Sequence, residues 1–113
     1  MLEGFTPWPD DQARRWREAG HWTGQTLWDM VAATVARFPD KVALVAGDTR
    51  QTYADLDRIS ARLGAALLKQ GLRPLDRVVL QLPNIPAFVH YYLALARIGA
   101  IPVMALRAHR HTE

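Results

Sequence analysis

Two nearly continuous apolar runs constrain this chain more than any other feature. "RPLDRVVLQLPN" gathers Val78, Val79, Leu80 and Leu82 into one short stretch, and "AIPVMAL", Ala100 to Leu106, repeats the pattern further on. Runs of this kind lack the alternation of a half-solvated strand and read as strands covered on both faces, as in parallel sheets. Between them, "NIPAFVHYYLALARIG" puts Phe88, Tyr91, Tyr92 and Leu95 on one helical face, with Asn84 and Pro86 opening the helix and Gly99 ending it. Parallel neighbours need a crossover, so strand, helix and strand with short joints predict a right-handed βαβ unit.

The residues before this unit predict four more elements. "PWPDDQARRWREAG" carries Pro9 and two acids at a helix start and Gly20 at its end, giving a short helix over roughly 9–19. Its aromatic residues, Trp8 and Trp16 with Trp22 beyond, suggest a helix laid across a larger body. "TLWDMVAATVARFPD" follows, with Thr26 as N-cap, Leu27, Met30, Val31, Val35 and Phe38 at helical spacing, and Pro39 as the stop. "KVALVAGDTRQTY" reads as a hairpin around Gly47-Asp48. It runs into an amphipathic helix capped by Thr52 and closed by Gly71. Leu56, Ile59, Leu63 and Leu67 form the apolar stripe there, and Asp55, Arg58, Arg62 and Lys69 the polar face.

The predicted order is therefore helix, helix, hairpin, helix, strand, helix, strand, an α/β layout. A helical N-terminal arm spans about 9–38, and the whole of 1–113 reads as part of one domain. Two parallel strands cannot cover each other on both faces, so the sheet is expected to be incomplete and the stop at Glu113 to fall inside a domain.

Composition narrows the function classes. Half of the residues are hydrophobic and 22% are charged, which is the balance of a folded protein and not of a disordered one. The net charge of +3 comes from 14 basic and 11 acidic residues spread along the chain, without the basic face that a nucleic-acid groove needs. Without cysteine there is no disulfide, thiolate nucleophile or Cys-based metal site. The opening "MLEGFTPWPDDQ" has no basic region followed by an apolar run. No apolar stretch reaches the ~20 residues of a membrane span. The expectation is a cytoplasmic protein with neither nucleic-acid nor membrane partners.

The sequence also lacks self-contained catalytic devices. Neither a dinucleotide fingerprint nor a Walker loop is present, and "LPNIPAF" has no glycines to let backbone amides approach a phosphate. The helix start at Asn84 can be read as an anion site or as an ordinary Asn cap, and the cap is the simpler reading. Of the four histidines, His109 and His111 are two apart without a third ligand at metal spacing. His90 is expected to be solvated or to face a partner, and His21 has no companion. Ser60, the only serine, lacks a nucleophile elbow and is expected on the helix surface or in packing. Catalytic, cofactor-binding and metal residues are all expected to be absent.

Three stretches resemble a known family in order and spacing. They are "GFTPWPDDQARRWREAGHWTGQTL", "QTYADLDRISARLGAALLKQGLRPLDRVVLQLPN" and "LARIGAIPVMALRAHRHTE". Together they are similar to the N-terminal region of the aryl-acid adenylating enzymes, the 2,3-dihydroxybenzoate–AMP and salicylate–AMP ligases of siderophore biosynthesis. "TYADL" and "LARIGAIPVMA" are typical of the wider adenylate-forming superfamily, whereas the aromatic opening and "AL-x-AHR" resemble the aryl-acid branch. Two positions depart from the pattern: Arg107 before "AHR", and "NIP" at 84–86 in place of Asn-Gly.

The resemblance implies an incomplete N-terminal subdomain of the adenylate-forming fold. In the full-length family a carboxylate attacks the α-phosphate of Mg-ATP, and the acyl group then passes to an aryl carrier protein. The family's phosphate loop, adenine and ribose site and mobile lysine match no stretch here, and Lys41 and Lys69 are not in that lysine's context. The chain is thus expected to be inactive alone and to need the remainder of the ligase fold. The alternative is a stand-alone binding or regulatory module that pairs with a separate chain.

Overall fold

The computed structural model describes residues 4–106 and Ala108. Its element order is the predicted one. Helix α1 (Asp10–Glu18) opens on Asp10 and Asp11 and closes on Arg15 and Arg17, charges that suit the two ends of a helix dipole. Trp16 packs between Trp8 and Trp22, at ring-centroid distances of 5.1 and 4.8 Å. The aromatic residues expected to lie across a larger body therefore close on one another.

Helix α2 (Leu27–Arg37) starts with a reciprocal cap. The Thr26 side chain accepts from the Asp29 N–H at 3.1 Å, and the Thr26 N–H donates to the Asp29 carboxylate at 2.8 Å. The hairpin follows as β1 (Val42–Ala46) and β2 (Thr49–Thr52), antiparallel, with Ala46 opposite Thr49 across the Gly47-Asp48 turn. Its register slips between Val42 and Leu44, so β1 carries one more residue than β2 at that point. A second reciprocal cap, Thr52 with Asp55, starts α3 (Tyr53–Lys69).

The buried line of α3 differs from the expected stripe. Leu56, Ser60 and Gly64 are buried, while Ile59, Leu63 and Leu67 are only half-buried. Small residues lie on this line because α4 (Pro86–Arg97) crosses there at close range. A Cβ on Gly64 would stand 2.9 Å from Ile98 Cγ2. Ser60 is fully buried, and its hydroxyl donates to the Asp57 carbonyl at 3.0 Å, so it is a packing serine.

Strands β3 (Arg77–Leu80) and β4 (Ile101–Met104) pair in parallel on either side of α4 in the chain, with Arg77 opposite Ile101 and Leu80 opposite Met104. Leu80, Leu95 and Ala100 form the core, with Val78, Phe88, Tyr92 and Ile98 packed around them. One face of the sheet is therefore covered by helix. On the other face Val79 and its partner Val103 are 63% and 42% exposed. The strands carry the composition of a doubly covered sheet but are not covered on both faces. The radius of gyration, 16.7 Å, also exceeds the about 13 Å of a compact domain of this length.

At the amino ends of the strands two loops are tied together. The Leu75 N–H donates to the Gly99 carbonyl, and the Ile101 N–H to the Asp76 carbonyl, both at 2.8 Å. The Asp76 carboxylate accepts from the Arg73 N–H at 2.7 Å. Leu75 holds this position with φ at 72°, a left-handed conformation that costs a residue with a side chain and is retained here by its backbone bond.

Candidate functional site

In open α/β sheets the loops at the carboxyl ends of parallel strands form the usual ligand crevice. In this chain that end holds a cleft of about 440 Å³. Leu82, Pro83 and Asn84 line it from the joint after β3, Phe88 from the first turns of α4, and Met104, Ala105 and Leu106 from the end of β4. The Ala105 N–H donates to the Leu80 carbonyl and the Gln81 side-chain amide to the Leu106 carbonyl, each at 3.0 Å. These two bonds hold the loops of neighbouring strands side by side.

The chemistry of this lining is limited. Asn84 supplies a neutral amide, and the other described side chains around the cleft are apolar. Such walls can shelter an apolar or aromatic group and hold it by one hydrogen-bonding side chain. They cannot move a proton, attack a phosphorus or offset the charge of a polyphosphate. The described lining by itself therefore does not fit Mg-ATP. Among the described residues, no group of three or more His, Asp or Glu side chains is placed to hold a metal ion.

Asn84 itself is not the cap that the sequence suggested. The N-cap of α4 is Ile85, in extended conformation and without a side-chain cap bond, and Pro86 occupies the first turn. Proline has no N–H, so this helix start also offers one donor fewer to an anion. His90 is half-buried and has a partner within the chain. Its Nε2 lies 2.7 Å from Gln51 Oε1, joining α4 to the hairpin, and burial lowers the imidazole pKa from its ordinary 6.5.

The remaining candidates do not converge on the cleft. His21 lies beside Arg17 and Trp22 along a shallow exposed depression after α1. Lys41 stands over the Phe38 ring, its ammonium 5.6 Å from the centroid, and Lys69 is exposed in the last turn of α3. Arg107, His109 and His111 lie outside the described residues.

Sequence reasoning missed one charged cluster. Arg97, at the end of α4, pairs through Nη2 with the Asp57 carboxylate of α3, and the same nitrogen donates to the Asp57 carbonyl at 3.2 Å. Its guanidinium carbon lies 3.8 Å from the centroid of the Trp28 ring on α2. No local pattern announces this cluster, because its three members come from three different helices.

A second groove, of about 470 Å³, runs along the flank of β3 between Leu67, Val78, Val79 and Tyr91. It is apolar and open, and it continues the uncovered character of the sheet.

Comparison with known proteins gives this arrangement its context. The family described as AMP-binding enzyme matches residues 31–113. The chain belongs to that family. Triostin synthetase I of Streptomyces triostinicus is 50% identical over 113 residues, covering 100% of this chain and 21% of the relative. The 2,3-dihydroxybenzoate-AMP ligase of Bacillus subtilis (strain 168) is 45% identical, with the same coverage of both. Among solved structures, the Mycobacterium smegmatis MbtA apo structure superposes with a TM-score of 0.91 at 43% identity, covering 97% of this chain and 21% of that one. The Klebsiella oxytoca NpsA N-terminal subdomain gives a TM-score of 0.75 at 28% identity over 78% of this chain and 23% of its own.

This member of the AMP-binding enzyme family thus spans about a fifth of the length of the curated relatives it matches. It corresponds to the N-terminal region of aryl-acid AMP ligases and has the mixed α/β fold of that subdomain. A likeness that runs through the whole chain into much longer ligases does not favour the stand-alone binding module. No helix among the described residues is long and apolar enough to cross a membrane.

Proposed function

We propose that this chain serves as the N-terminal part of an ATP-dependent ligase that adenylates an aryl acid such as 2,3-dihydroxybenzoate or salicylate, for siderophore biosynthesis. In that reaction the acid's carboxylate attacks the α-phosphate of ATP, an acyl adenylate forms, and pyrophosphate leaves. The aryl group then passes to a carrier protein in the cytoplasm. Residues 1–113 form part of the AMP-binding domain, with 9–38 as its helical arm. They supply the scaffold of the sheet and an apolar cleft wall, and not the groups that bind ATP, magnesium or the reacting atoms. Neither nucleic acid nor membrane is a partner in this reading.

The observation that carries the proposal is the likeness to aryl-acid ligases along the whole chain, aromatic arm included. The uncovered face of β3 and β4 supports it, since strands this apolar call for a second covering layer.

ATP–pyrophosphate exchange tests the proposal in two arms. The purified chain shows no exchange dependent on salicylate or 2,3-dihydroxybenzoate. Grafted in place of the matching segment of the Bacillus subtilis ligase, it gives a soluble enzyme that retains such exchange. Acid-dependent exchange by the chain alone, or a folded graft without exchange, overturns it.

A further inference from the structure

We propose that the stack of Trp28 on Arg97 is a latch: it holds the N-terminal arm, α1 and α2, against the α3–α4 body, and the arm can leave while that body stays folded. The apolar contacts of the arm are shallow, since Val31 and Val35 of α2 are only half-buried. Helix α2 has no fully buried side chain, and Leu27 and Met30 on its apolar stripe are 45% and 59% exposed. In α1 only Ala13 is buried, and Trp16 packs between the flanking Trp8 and Trp22.

One guanidinium, by contrast, touches all three helices that meet here. Arg97 projects from α4, pairs with the side chain and carbonyl of Asp57 on α3, and lies 3.8 Å from the ring centroid of Trp28 on α2. Its side chain is only 25% exposed, and its Nε is buried with no hydrogen-bond partner among the described residues. Oxygen acceptors thus leave part of this cation unsatisfied, and the π face of Trp28 is the electrostatic partner that remains. A cation over an indole face strengthens as water is excluded.

The family match begins at residue 31, within α2, and includes Arg97 and Asp57 but not Trp28. The latch thus joins one residue outside the match to two within it. This inference concerns the chain itself and holds whichever acid the complete ligase activates.

Hydrogen exchange of the purified chain tests it. Arg97→Met and Trp28→Leu are each expected to speed exchange of the α2 amides roughly tenfold while α3 and α4 keep their protection. Trp28→Phe, which keeps an aromatic face, falls between these and the parent. If Arg97→Met does not fold, Trp28→Leu decides, because it leaves the Asp57 pair intact. Unchanged α2 exchange overturns the proposal, and so does equal acceleration in α2, α3 and α4, which would make the contact one part of global stability.

Discussion

The two faces of the β3–β4 sheet come from the same few residues and meet opposite environments. On one face Leu80 is 5% exposed, packed against the fully buried Leu95 of α4. On the other, the paired Val79 and Val103 stand at 63% and 42%. A strand's side chains alternate between faces, so a run apolar at every position makes two hydrophobic surfaces whether or not both have covers. The difference shows that burial in this chain depends on which layers are present and not on which residues the strands carry.

The largest expected effect falls on the covered face. Leu95→Ala should destabilise the chain by about 2–5 kcal/mol in urea unfolding, since it empties the centre of the core. The paired change Val79→Thr with Val103→Thr should alter the isolated chain by less than about 0.5 kcal/mol. In the graft described above, the same pair should cost about 1–3 kcal/mol through polar groups buried without partners. Equal effects of the pair in both settings would break the contrast between the faces.

Next in size is the approach of the covering helices. Gly64→Ala places a Cβ against the γ2 methyl of Ile98, and a loss of about 1–3 kcal/mol is expected in the same unfolding experiment. No loss would mean that α3 and α4 can part without disturbing the sheet.

Smaller effects are expected at the caps and follow pH. Asp55 has its pKa lowered from 3.8, first by the Thr52 backbone N–H, then by hydrogen bonds from Arg58 and Thr52. Asp29 is lowered in the same direction, first by the Thr26 N–H. A carboxylate depressed in the folded state adds stability that is complete above its unfolded pKa and is lost as pH falls through the folded one. Melting followed by circular dichroism should therefore decline below about pH 4. Thr52→Ala, worth about 1 kcal/mol, should reduce that decline.

The smallest effect concerns His90, whose pKa burial lowers from 6.5. The unfolded chain binds this proton more readily, so stability is full above 6.5 and weakens as pH drops through the lowered folded value. His90→Gln should remove this dependence near pH 6 without touching the acid limb set by the two aspartates. An unchanged profile would show that the contact between hairpin and α4 is indifferent to charge.

The layout was legible in the sequence because its signals are local. Helical spacing, Thr26 and Thr52 at caps, Gly47-Asp48 at a turn and two apolar runs around a helix each need only a few neighbouring residues. The cluster of Trp28, Asp57 and Arg97 could not be read that way, since its members meet only once three helices have docked. The same holds for His90 on Gln51 and for the buried line through Ser60 and Gly64, which is fixed by where α4 crosses α3. Asn84 misled because Asn before Pro resembles a cap, whereas the chain enters α4 one residue later through Ile85. The cleft was half-visible: its position follows from βαβ topology, and its apolar lining appears only when both strand ends are side by side.

The bonded loops at the other end of the strands separate alignment from variation. Leu75 with Gly99, and Asp76 with Ile101, set the pairing of β3 and β4 before the first rung of their ladder. A substitution or insertion at Asn84 or after Met104 then changes what the cleft presents without letting one strand slide past the other. Evolution can revise the mouth of such a sheet while its hinge end keeps count.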